Sequence, residues 1–290
     1  MAHRPQAAAV PPLPEADCTA EAPRLTISVT RLEQLSPALL ELGCPARVYI
    51  PLEEVSRLES LPGEGPEWCA VLPRVWRDRD EPALRTLLER ARALGFTGVL
   101  IGNLGHLPLV RGLNFHLYGD YGLNVFNSRS LAYLKDKELE SACVSFELRF
   151  AQIRDLKKVL RAEAIVYGRL PLMITENCLV QNETGCRLDR QGPCVPEDGP
   201  CRCGQPNVLV DRTGAAFPLL PAYGHRTEIQ NSKPLYLADR PEHRRLGLAY
   251  ARLRFTTETA EECVSVVQNY LDAAPAAGDF TRGLYERGVE

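Results

Sequence analysis

A chain of 290 residues, 45% hydrophobic and 24% charged, carries enough apolar side chains for one large globular domain or two small ones. Its formal net charge of −3 and pI near 6.0 exclude the global basic excess that advertises nucleic-acid binding, though not a local basic patch. No apolar run approaches the roughly 20 residues that a membrane-spanning helix needs.

Residues 1–23 are rich in Ala and Pro and lack the continuous apolar core of a secretory signal, so they read as a disordered arm. Residues 25–30 alternate apolar and polar, as a strand does. Residues 31–42 read as a helix stopped at Gly43. Short strands are expected at 47–50 and 70–75, followed by an amphipathic helix over 81–94 closed by Gly95. Residues 98–102 (GVLIG) and 115–119 read as strands, 128–135 as a helix, 142–146 as a strand, 151–160 as a helix and 164–167 as a strand. Strands thus alternate with helices from residue 25 to about 170, which predicts a parallel sheet with crossover helices. Six or seven such units suggest an α/β barrel, complete or partial, over residues 24–177. After Glu176 the periodicity stops. Residues 178–290 read as a cysteine-rich loop, a hairpin over 208–220, a helix over 260–271 and a Gly-rich closing segment.

Barrels of this kind do their chemistry at the C-terminal ends of the strands, which directs attention to the polar residues there. Glu147 is expected either to act as acid or base or to serve as a charge at a helix start. Asp120 and Asn124, in GDYGLNVFN, suit a pocket floor or a turn. Asn103, Asn127, Tyr167 and Glu176 join them as substrate-binding positions. Arg169 suits a carboxylate or phosphate, with a surface salt bridge as the plainer role. His106 and His116 have no evident partner and read as structural.

Ten cysteines in a large chain without an export signal point to a reduced, cytoplasmic protein rather than to disulfides. Cys44, Cys69 and Cys143 sit in apolar surroundings and are expected in the core. Five others crowd into C-x7-C-x7-C-x6-C-x-C, from Cys178 through Cys186, Cys194 and Cys201 to Cys203. The paired C-x2-C knuckles of a zinc ribbon are missing, and irregular spacing is compatible with iron–sulfur ligation, so a cluster is the first expectation and zinc the alternative. Cys178, Cys186 and one of Cys201 or Cys203 are the leading ligands, with His225 offered as a fourth.

The segments GNLGHLPLVRG, GDYGLNVFNS, SFEL, YGRLPLMITENC, DRTGAAFPL, NSKPLYLAD and GDFTRGLYERG follow one another in this order. Together they resemble the U-32 peptidase family, the collagenase-like peptidases, over residues 25–290. The resemblance implies a barrel-like α/β domain and one of two activities. Some members are described as peptidases. Others resemble oxygen-independent hydroxylases of tRNA, ribosomal RNA or ubiquinone precursors, with a four-iron, four-sulfur cluster on four cysteines and prephenate as oxygen donor. On that pattern Cys178 and Cys186 match the first two cluster cysteines, and Cys201 or Cys203 the third. At the fourth position the chain offers His225 or Tyr236, unless Cys194 or the second of the Cys201/Cys203 pair substitutes. An RNA substrate would call for aromatic contacts to a splayed base, for which Tyr118, Tyr121 and Phe126 are available. The Ala-Pro-Ala-Gly start of the family is missing, so the chain resembles the later barrel of longer relatives. This allows a non-catalytic reading, a partner subunit that completes a barrel, beside a homo-oligomeric enzyme.

Overall fold

The computed structural model describes residues 12–184 and 205–288. Eight parallel strands form a closed ring: β1 (Arg24–Ser28), β2 (Arg47–Pro51), β3 (Glu67–Val71), β4 (Gly98–Ile101), β5 (His116–Gly119), β6 (Ser141–Cys143), β7 (Arg161–Gly168) and β13 (Tyr250–Arg254). Strands β1 to β7 pair in sequence order, and β13 enters between β7 and β1 to close the ring. This is the expected α/β barrel, complete within one chain.

Helices α1 (Pro37–Gly43), α2 (Glu81–Ala93), α3 (His106–Val110), α4 (Ser128–Asp136), α5 (Phe150–Asp155) and α7 (Ala260–Leu271) connect or follow the strands. On α2, Leu84, Leu88 and Ala91 recur at helical spacing and are fully buried. Cys263, Val266, Val267 and Tyr270 recur likewise on α7 and are buried. Each large apolar side chain so buried stabilises the fold by about 1.5–3 kcal/mol, which seats the helices on the outside of the ring. The caps agree with the sequence: Ser36, Asn127 and Thr259 each accept a backbone N–H at a helix start.

Several boundaries differ from expectation, each for a local reason. The helix expected over 31–42 divides into a 3-10 turn and α1, because Ser36 caps a helix whose first residue is Pro37. The strand expected over 70–75 lies at Glu67–Val71, and Pro73 cannot extend its ladder. The helix expected over 151–160 stops at Asp155. Buried Lys158 turns back there and donates to the carbonyls of Ile153 (2.7 Å), Arg154 (3.3 Å) and Leu156 (3.2 Å). Cys69 and Cys143 are core residues, but Cys44 is exposed at the left-handed end of α1. Residues 12–23, the described part of the Ala/Pro-rich arm, touch the barrel: the Cys18 and Ala20 N–H groups donate to the carbonyls of Lys158 and Gly247.

Between β7 and β13 the chain builds a second sheet that sequence periodicity does not predict in full. Its strands are β8 (Pro171–Thr175), β9 (Asn207–Val210), β10 (Ala216–Ala222) and β11 (Arg226–Gln230), antiparallel in the order β8-β11-β10-β9. The expected hairpin is β9 and β10. Helix α6 (Leu179–Thr184) follows β8, and the short β12 (Leu235–Tyr236) pairs with the upper end of β7. Because β8 leaves directly from the C-terminal end of β7, this sheet lies across the mouth of the barrel.

The inside of the ring is polar. The interior layers of such barrels are ordinarily branched aliphatic residues. Here Tyr250, Arg252 and Arg254 alternate inward along β13, and three arginines stack up the barrel axis. At the bottom Arg47 lies between the rings of Tyr118 and Tyr250, 3.6 and 4.1 Å from their centroids. It donates to Glu67 (3.0 Å), Ser141 (2.9 Å) and the Tyr250 hydroxyl (2.9 Å). Above it Arg252, 1% exposed, donates to both Glu163 and Asp120. Glu163 also accepts from Thr26 (2.5 Å) and Tyr49 (3.1 Å). Such groups are tolerated in a barrel core only because every charge has its partner.

Candidate functional site

The topmost arginine, Arg254, opens into a cavity of about 1540 Å³ between the C-terminal strand ends and the second sheet. Asp120, Tyr121, Arg252 and Arg254 line its floor, Arg74 its wall, and Glu228 of β11 reaches down from above. Glu228 accepts from Arg74 Nη1 (2.7 Å), Arg254 Nη2 (3.1 Å) and Gln230 Nε2 (2.8 Å). Burial alone would raise its carboxyl, but the two guanidinium groups outweigh that and hold it below the usual range. The bridge from β11 to the ends of β3 and β13 ties the second sheet to the barrel. The Tyr121 ring lies under both cations, 5.2 Å from the Arg74 guanidinium and 5.9 Å from that of Arg254.

Arg74 is the accessible cation of this cluster. Its side chain is 34% exposed, lines the cavity and, among the described residues, makes one ion pair, through Nη1. Its loop is steadied by His106, buried on α3, whose Nε2 lies 3.1 Å from the Pro73 carbonyl. Burial lowers the His106 pKa to about 4, so it is neutral at physiological pH and serves the structural role expected of it. His116, by contrast, is exposed and pairs with Glu140.

Of the described residues singled out in the sequence, Asp120, Tyr121 and His225 line the cavity. His225 lies in the turn between β10 and β11 at φ 58°. Glu147, Arg169, Tyr167, Glu176, Asn103, Asn124 and Asn127 are not on its wall. Glu147 is half-buried after β6, and its N–H donates to Ser145. Arg169 donates to the carbonyls of Asn231 (3.1 Å) and Ser232. Tyr167 is buried and donates to Glu258 (3.1 Å). Glu176 is exposed and pairs with Arg77 (2.9 Å) and Arg226 (3.0 Å), which lower its pKa. Asn103 folds back on the Gly105 N–H, Asn124 takes the left-handed φ of 52°, and Asn127 caps α4; all three are exposed. Among the aromatics, Tyr118 is in the barrel interior, Tyr121 in the cavity and Phe126 on the surface. Sequence reasoning missed Arg74, Glu228, Arg252 and Arg254. The alternation of Tyr250, Arg252 and Arg254 against Ala251, Leu253 and Phe255 was the available signal for the last two.

Cys178 is buried between β8 and α6, and the Gln181 N–H donates to its Sγ (3.4 Å). This is the position of a helix N-cap, one residue before α6. Cys186, Cys194, Cys201 and Cys203 lie outside the described residues. Among the described residues no three His, Cys, Asp or Glu side chains converge to hold a metal. The cysteine segment leaves from α6 and returns at Gln205 and Pro206, which line the cavity.

No helix among the described residues is long and apolar enough to cross a membrane. Among known structures, the U32 peptidase Mk0906 is similar at 9% identity, covering 88% of this chain and 98% of its own, with a TM-score of 0.43. A mutant tryptophan synthase α-subunit from Pyrococcus furiosus is similar at 10% identity, covering 51% of this chain and 78% of its own, with a TM-score of 0.36. The chitinase ChiW from Paenibacillus is similar at 9% identity, covering 85% of this chain and 42% of its own, also at 0.36. No curated protein sequence matches the chain. The sequence model of peptidase family U32 matches residues 61–206, from the approach to β3 through the cysteine segment. That match spans just over half of the chain, and the chain belongs to the U32 peptidase family.

Proposed function

We propose that this family member is an iron–sulfur-dependent, oxygen-independent hydroxylase acting on RNA or on a small aromatic precursor. The observation that carries the reading is Cys178, a buried thiol that accepts an N–H at the head of a five-cysteine stretch of sequence, followed by Gln205 and Pro206 on the cavity wall. Cys178, Cys186 and one of Cys201 or Cys203 would hold a four-iron, four-sulfur cluster, with His225 or a further cysteine as fourth ligand. Such a cluster would supply electron transfer. The chain's own residues bind and orient. Arg74 offers its remaining N–H donors to a carboxylate or phosphate, and Tyr121 offers an aromatic face on the cavity floor. The Glu228 bridge ties the second sheet to Arg254 on the cavity floor.

Purification without oxygen, visible absorption, and iron and sulfide assays test the reading. Broad absorption near ~400 nm with about four irons per chain is expected, and Cys178→Ala and Cys186→Ala should each abolish it. A colourless protein from the same preparation would overturn it. The collagenase-like peptidase reading, which rests on the family match, would then take precedence. The eight strands close the ring within one chain, so a barrel-completing partner has no strand to add.

A further inference from the structure

Arg31 aside, the arginines around the cavity are already engaged in ion pairs. Arg252 holds Asp120 and Glu163, Arg74 and Arg254 share Glu228, and Arg226 holds Glu176. On the rim Arg57 holds Glu33 and Glu54, and Arg79 faces Asp80. One carboxylate on the wall is left over. Glu53 follows β2, lines the cavity half-buried, and among the described residues forms no ion pair. Its neighbours are Glu54 on its own turn and, across the cavity, Tyr223 in the turn between β10 and β11. Asp80 and Arg226 are charged groups beside Tyr223. Among the described residues, Glu53 therefore has carboxylates and a phenol nearest it, and no cation pairs with it. Burial first, then Glu54, raises its pKa to about 7.

Position reinforces the point. Pro51 of β2 pairs with Val71 of β3, so Glu53 and Arg74 leave adjacent strand ends on one side of the cavity. A ligand anchored on Arg74 by an anionic group would carry its next atoms past Glu53.

We propose that Glu53 is the proton-exchanging group of this cavity, acting on a ligand hydroxyl, amine or carbonyl that enters between the end of β2 and Tyr223. As donor, its carboxyl O–H bond breaks, the proton passes to the basic ligand atom, and a carboxylate remains. As acceptor, the carboxylate takes the proton from a ligand O–H or N–H, and the bonding pair stays on the ligand. The assignment requires no iron–sulfur cluster and holds for either reaction class.

The test is esterification of the purified full chain with a water-soluble diazo amide, which reacts only with protonated carboxyls. The carboxyl oxygen bonds to the diazo carbon, its proton moves to that carbon, and dinitrogen leaves. Peptide mass mapping from pH 5 to 9 should find Glu53 labelled at pH 6, above the exposed Glu59 and Glu64, with labelling that fades through a midpoint near 7. Glu53→Gln should remove the signal. Tyr223→Ala, which admits water above the carboxyl, should move the midpoint down. Labelling of Glu53 no greater than that of Glu59 and Glu64, or a midpoint indifferent to Tyr223→Ala, would overturn the proposal. Neither result depends on iron content, so failure here and failure of the cluster reading are told apart.

Discussion

Replacing Arg252 by Met tests the polar interior of the barrel most directly. Met has comparable length and fills the space, so the substitution removes charge and hydrogen bonds with little cavity. Arg252 is 1% exposed, and it donates to Asp120 and twice to Glu163, which are 5% and 1% exposed. Without the guanidinium, Glu163 keeps only the hydroxyls of Thr26 and Tyr49. Removing one member of a buried ion pair costs about 3–5 kcal/mol, because the partner charge is left uncompensated. The loss here should reach the upper end, since one cation serves two carboxylates. Urea unfolding followed by circular dichroism, with the slope unchanged, reads the difference from the midpoint. Arg252→Lys keeps the charge but not the two-pronged contact and should fall between. Arg252→Met combined with Glu163→Gln should recover part of the loss, because one stranded charge is gone. A single-variant cost under about 1 kcal/mol would refute the reasoning, because it would mean the barrel carboxylates do not depend on this cation.

The remaining predictions follow from single contacts. Gly168→Ala should destabilise by more than the about 1 kcal/mol of an ordinary glycine change, because the residue sits at φ 120° and an added Cβ would lie 2.0 Å from the Arg254 carbonyl; thermal unfolding within a degree of the parent would contradict this. For Glu53 the folded pKa of about 7 exceeds the ordinary 4.5, so the folded state binds the extra proton between these values and stability falls as pH rises through that window. Glu53→Gln should match the parent at pH 4 and exceed it at pH 8 by at most about 3 kcal/mol; equal denaturation midpoints at pH 8 would speak against it. Glu228→Gln keeps the shape but weakens the tie from the second sheet to Arg74 and Arg254. Faster amide exchange in β10 and β11, with the barrel strands unchanged, is the expected signature.

The barrel was legible because β1 to β7 carry their apolar residues on the outward face, against helices with clear caps and periodicity. The eighth strand was not. In β13 the inward side chains are Tyr250, Arg252 and Arg254, an alternation that a reader of hydropathy assigns to a solvated surface. The same inversion hid β11, where Glu228 and Gln230 are buried and paired within the cavity wall. Position after a strand found Asp120, because strand ends are where such barrels place their chemistry. That rule also selected Asn103, Asn124 and Asn127, which occupy turns and a cap, since the residues that end strands and the residues that bind ligands are drawn from the same polar set. Glu228 and Arg74 could not be joined from sequence, because their contact depends on the second sheet folding over the barrel.

The entry of β13 between β7 and β1 also sets an order of events during synthesis. Strands β1 to β7 leave the ribosome before Tyr250 does, together with the whole second sheet. Until then the nascent chain holds an open sheet, with β1 and β7 as unpaired edges and Asp120 and Glu163 without their cation. Open edges invite pairing with other chains, and long-range closure is slow. A ribosome pause or a truncation shortly before residue 250 would therefore release a species prone to aggregate and to recruit chaperones. Closure of the ring waits for its last barrel strand, where five residues supply both the missing edge and the missing charge.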